Sequence, residues 1–112
     1  MSALDPEALV SALQAAATNI IKTDISALEG FSQQQMNAMA QQSAFVAGGI
    51  ADGSITDDTR DYFLNSLVEQ AKSFANILVG LAAEVIEQVW NAFVGVIWDT
   101  INKATGLALV VP

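Results

Sequence analysis

Between Thr56 and Lys103 the apolar positions never lapse. Phe63, Leu67, Phe74, Leu78, Val85, Val89 and Val96 recur at alternating steps of four and seven. Steps of that size keep side chains on one side of an α-helix. The stretch holds no proline and only two glycines, Gly80 and Gly95. One long helix is predicted over about 57–104, apolar around most of its circumference. An eleven-residue period runs through it. Phe63, Phe74, Val85 and Val96 form one row, and Leu67, Leu78 and Val89 form a second. The polar side keeps the same period in Glu69, Gly80, Asn91 and Asn102, and again in Ser73, Glu84 and Gly95. That period, about 3.67 residues per turn, predicts straight or slightly right-handed packing rather than a left-handed heptad coil.

A first arm precedes it, over about 5–47. Asp5-Pro6-Glu7 reads as a helix start: Asp5 caps, Pro6 fits the first helical position, and Glu7 suits the positive end of the dipole. Leu9, Leu13, Ala16 or Ala17, Ile20, Leu28 and Phe31 continue a helical stripe, widened by Ile21 and Ile25. Gly30 is the weak point, and Ser32 with Gln35 matches a capping box. The arm therefore either kinks there or breaks into two helices. Ser32 to Ala47 is rich in glutamine and alanine, with Met36, Met39, Phe45 and Val46 on its apolar side. Its polar face is either an ordinary solvated one or one buried against a copy of itself, with glutamines bonding across. Gly48-Gly49 is expected to end the arm. Asp52-Gly53-Ser54 is turn chemistry, and Thr56-Asp57-Asp58 starts the next helix, so 48–56 is the turn.

Each arm, at 1.5 Å per residue, would be roughly 65–70 Å long. Matched arms about one turn predict a long antiparallel helical hairpin, or three helices if the first arm breaks near Gly30. Either form is all-α and a single domain of 112 residues. Thr105-Gly106 is a plausible stop. The tail at 105–112, with Leu107 and Leu109, is apolar enough to dock on something or else to fray.

Composition sharpens one point. The chain is 53% hydrophobic and 14% charged, whereas roughly 25% charge is usual for a soluble domain. Tyr62, Leu64, Val68, Ile77, Val79, Ile86, Val94, Ile97 and Ile101 lie outside the main apolar seam of the long helix. A single hairpin partner would leave much of that surface bare. At ~25 cal/mol per Å2, burying several hundred Å2 of it is worth several kcal/mol. Self-association, or burial in a larger complex or a membrane, is the expectation.

Charge and residue types narrow the chemistry. A formal charge of −8 argues against nucleic acid and against electrostatic attraction to anionic lipid. Without cysteine or histidine there is no thiolate and no usual general base, and the commonest metal ligand is missing. The N-terminus lacks the basic and apolar regions of a secretory signal. A spanning helix over Ser73–Trp98 would have to accommodate Glu84 and Glu87. Those two carboxylates read as part of the solvated stripe with Asn91 and Asp99, or as partners for Lys72 or Lys103 of a neighbour. The loop at 52–58 lacks the glycine and terminal glutamate of a calcium loop. Gly80 and Gly95 suit close helix approach, and Trp90 and Trp98 suit protein contact or an interfacial anchor. No catalytic, cofactor-binding or metal-binding set is present, no small-molecule substrate is evident, and no motif names a family.

The expected function is that of a non-enzymatic structural subunit, a component of a virion, filament or ring. It would homo-oligomerise through Phe63, Leu67, Phe74, Leu78, Val85, Val89, Trp90, Phe93, Val96, Ile97, Trp98, Leu107 and Leu109. The alternatives are a membrane- or lipid-surface-active hairpin, such as a pore former or granule coat, and an adaptor or chaperone for another protein. The expected location is the cytoplasm or an assembled particle, with membrane association open.

Overall fold

A computed structural model describes residues 4–106. They are all-α, with no strand among them. The helices are α1 (Pro6–Ile21), α2 (Gln33–Asp52), α3 (Asp57–Asn76) and α4 (Ala83–Thr105), with a short 3-10 turn, Ile25–Ala27, between α1 and α2. The molecule measures 42 × 23 × 21 Å, too short for two unbroken arms. Each arm expected from the sequence is in fact two helices.

The first arm breaks over 22–32, a stretch that includes Gly30 and Ser32 but opens eight residues before Gly30, so that Leu28 and Phe31 lie in the connection rather than on a helical stripe. Asp5 caps α1, accepting from the Glu7 amide at 3.0 Å. The helix closes at Lys22, which is left-handed (φ 66) and donates its amide to the Thr18 carbonyl at 2.8 Å. Asp24 then accepts from the Ser26 amide at 3.0 Å and the Ser26 hydroxyl at 2.8 Å. Ser32 opens α2 by accepting from the Gln35 amide at 3.1 Å. The Gly48-Gly49 pair does not end this helix. It runs on to Asp52 and stops at Gly53, whose φ is 85. Gly49 serves packing instead: the Ile55 side chain lies where a Cβ would go. Thr56 opens α3, its amide donating to Thr59 Oγ1 at 3.2 Å.

The second break is the larger departure. The helix expected over 57–104 is interrupted at 77–82. The amides of Ile77 and Leu78 close the last turn of α3 onto the carbonyls of Phe74 and Ala75, both at 3.3 Å. The Val79 amide leaves the helix and donates to the Glu29 carbonyl at 3.0 Å. Gly80, read from the sequence as a close-packing residue, takes φ 88 and turns the chain. Thus the two breaks lie against each other. Gly30, at φ 90, sits so close that a Cβ there would overlap the Ile77 carbonyl oxygen.

The breaks let four helices pack as a bundle. α1 lies against α2 and α4, α3 lies against α2 and α4, and α2 meets α4 across the middle. Neighbours in the chain run antiparallel. Gln14 of α1 bonds Gln33 of α2; Phe45 and Phe63 meet near one end of the α2–α3 pair, and Phe31 and Phe74 near the other. Lys72 of α3 lies over Trp90 of α4. Each helix contributes one apolar stripe: Leu9, Leu13 and Ala17; Met36, Met39 and Val46; Leu67, Ala71 and Phe74; Val89, Phe93, Ile97 and Ile101. Phe74 is central. It meets Phe31 edge-on at 5.8 Å and Phe93 edge-on at 5.5 Å between ring centres, an arrangement suited to aromatic quadrupoles. Ser43 is buried too, and its hydroxyl is satisfied by the Met39 carbonyl at 2.8 Å.

Candidate functional site

Most of the residues expected to meet another subunit meet their own chain. Leu67, Phe74, Leu78, Val89, Phe93, Ile97 and Trp98 are buried. Phe63, Val85, Trp90 and Val96 are half-buried and packed against that core. The reason is the break at 77–82, which folds α4 back so that α1, α2 and α3 cover it. Leu107 and Leu109, with the rest of the tail at 107–112, lie outside the described residues.

What remains outside is smaller and lies elsewhere. Phe45 is 61% exposed and Tyr62 74%. Both flank Phe63, at 6.3 Å and 5.4 Å between ring centres. Tyr62, outside the main apolar seam of the sequence, points outward, and Phe63 faces the joint between α2 and α3.

Phe45 belongs to a longer feature. Gln34, Ala38, Gln41, Phe45 and Gly48 are all exposed, and they recur at steps of four and three along α2. Steps of that size keep one helix face outward. The opposite face, carrying Met36, Met39, Ala40, Ser43, Val46 and Ala47, is the buried one. No charged residue occurs between Phe31 and Ala51, so this outward stripe carries no formal charge from Gln34 to Gly48, and the exposed Asp52, one step further on, ends it. In a chain of net charge −8 that is a marked local exception.

The other candidates resolve into ordinary surface chemistry. Glu84 and Glu87 are both exposed. Lys72 Nζ lies 4.5 Å from the centre of the Trp90 ring, a cation–π contact within the chain. Lys103 pairs with Asp99 on its own helix at 3.0 Å. In the 52–58 loop, Asp52 accepts from the Ser54 amide at 2.8 Å and the Ser54 hydroxyl at 2.7 Å. Hydrogen bonds from Ser26 to Asp24 and from Ser54 to Asp52 hold both carboxyls below the ordinary aspartate range. Among the described residues no group of three or more acidic side chains is placed to hold a metal ion. No helix among them is long and apolar enough to cross a membrane.

A search of family models, of curated proteins and of solved structures finds no match to this chain.

Proposed function

We propose that the chain is a non-enzymatic assembly subunit whose copies associate face to face along α2. The observation that carries this reading is the uncharged outward stripe Gln34, Ala38, Gln41, Phe45 and Gly48. Two copies of a chain at −8 repel each other over most of their surface. A face without carboxylates is where they approach at least cost. The stripe also complements itself. A glutamine amide both donates and accepts, so Gln34 and Gln41 bond to their counterparts in either register. Ala38 and Gly48 admit a close neighbour, and Phe45, packed on Phe63, supplies the aromatic anchor that interface centres favour. The four-three spacing matches the seam of a helix pair.

Sedimentation of the pure chain without detergent tests this. The expected result is a concentration-dependent dimer or larger species. Phe45→Ser should weaken it about 10- to 30-fold, the effect of losing one anchoring aromatic. Gln41→Glu, which sets a carboxylate in mid-stripe, should do the same without touching the core. A wild-type chain that stays monomeric at every concentration would sink the proposal.

A further inference from the structure

We infer that residues 77–82 form a hinge through which two copies of the chain exchange α4. What points to it is a phase relation that the folded monomer does not require. The rows Phe63–Phe74–Val85–Val96 and Leu67–Leu78–Val89 keep their eleven-residue period straight through the break. A loop resets helical phase, because the two helices it joins can start at any rotation. In the bent chain α3 and α4 need no common register. In one continuous helix from 57 to 105, about 73 Å long, the rows would lie on a single face.

The junction itself is suited to both forms. Ile77-Leu78-Val79-Gly80-Leu81-Ala82 contains no proline and no charge. Val79 stands 50% exposed in the bent form. The bend is held across the bundle by the Val79–Glu29 backbone bond and by the close approach of Gly30 to Ile77. No side chain caps the start of α4, where Ala82 is the cap residue. When the hinge straightens, α4 leaves the groove formed by α1, α2 and α3. The occupant that fits this groove with every contact preserved is α4 of a second copy. In the exchanged dimer Val89, Phe93, Ile97 and Trp98 become contacts between chains.

Two substitutions push the hinge in opposite directions. Ala82 has φ −66 and ψ 153, the conformation imposed on a residue that precedes proline. Ala83 is the first residue of α4, where proline is tolerated. Ala83→Pro therefore fits the bent form and breaks a continuous helix. Gly80 has φ 88 with open space around the position of a Cβ. Gly80→Ala therefore strains only the bent backbone and favours the helix.

The chain is refolded from urea at high concentration, and dimer is separated from monomer by size. The exchange uses a different surface from the α2 stripe, on which the proposed assembly rests. All arms therefore carry Phe45→Ser. Chains bearing spin labels at Glu69→Cys and Asn91→Cys are diluted with unlabelled chains, so that only distances within one chain are read. The cysteine-free sequence permits this. Expected is a dimer whose label separation is near the 33 Å of a straight helix, about 22 residues at 1.5 Å. Gly80→Ala should raise its yield by about 10-fold or more, and Ala83→Pro should lower it more than 100-fold. A dimer with only the short separation of neighbouring helices would overturn the inference. So would equal yields from Ala83→Pro and the parent, or the absence of any dimer once Phe45 is replaced.

Discussion

Single residues decide where this chain turns, and Gly30 is the clearest case. Its φ of 90 disfavours any side chain, and a Cβ would also run into the Ile77 carbonyl oxygen. Both effects act on the same atom. Gly30→Ala should therefore cost about 2–4 kcal/mol, read as a fall in the urea midpoint. The same substitution at Gly53 meets open space and strains the backbone alone. The sequence marks Gly30 as the weak point of the first arm, although α1 already ends at Ile21. It did not show that Gly30 must be glycine because another segment of backbone lies on it, since that segment is nearly fifty positions away. Tyr62 teaches a similar lesson. It neighbours Phe63 in sequence, yet one step along a helix turns a side chain by about 100°, enough to carry Tyr62 from the joint to the solvent.

At the scale of elements, starts were more legible than stops. Asp5, Ser32 and Thr56 open their helices as their residue types imply, because a cap is a local interaction. The fourth start has no such signal. Ala82 occupies the cap position of α4 with extended backbone and offers no side-chain acceptor. Ala82→Ser should add about 1 kcal/mol of stability, read as a rise in melting temperature. Because it stabilises the bent form only, the same change should lower the yield of exchanged dimer. Nothing in the hydrophobic pattern marks the break at 77–82, because the period of the apolar rows does not falter there. What ends α3 is an acceptor, the Glu29 carbonyl, supplied by the other arm. Gly48 and Gly49 misled in the opposite sense. They are helical, one on the outward stripe and one beneath Ile55.

For the whole molecule, apolar surface that a single partner helix would leave bare is largely covered within the four-helix bundle, which leaves Phe45, Tyr62 and Val79 as the exposed large apolar side chains among the described residues. Charge then governs behaviour at this scale. As pH falls toward the sequence pI of about 4.1, repulsion between copies fades. Association along α2 should rise toward that pH, measured by light scattering. Asp24 and Asp52, held by the hydrogen bonds from Ser26 and Ser54, keep their charge to lower pH than ordinary aspartates. The unfolded chain binds their protons first, so the stabilisation these carboxylates give is present above about pH 3.9 and is lost as pH falls through their lowered native values. Double replacement by alanine should flatten the stability profile below about pH 4.

The position of α4 has a consequence for how the chain comes into being. It follows the other three helices in the sequence, yet it touches each of them. During synthesis, α1, α2 and α3 leave the ribosome with their shared groove vacant, and domains at that stage expose whatever their missing element would cover. On a crowded polysome the nearest helix able to fill that vacancy can belong to a neighbouring nascent chain. The choice between self-closure and pairing is then set by the rate at which residues 77–82 bend, relative to the local density of unfinished copies.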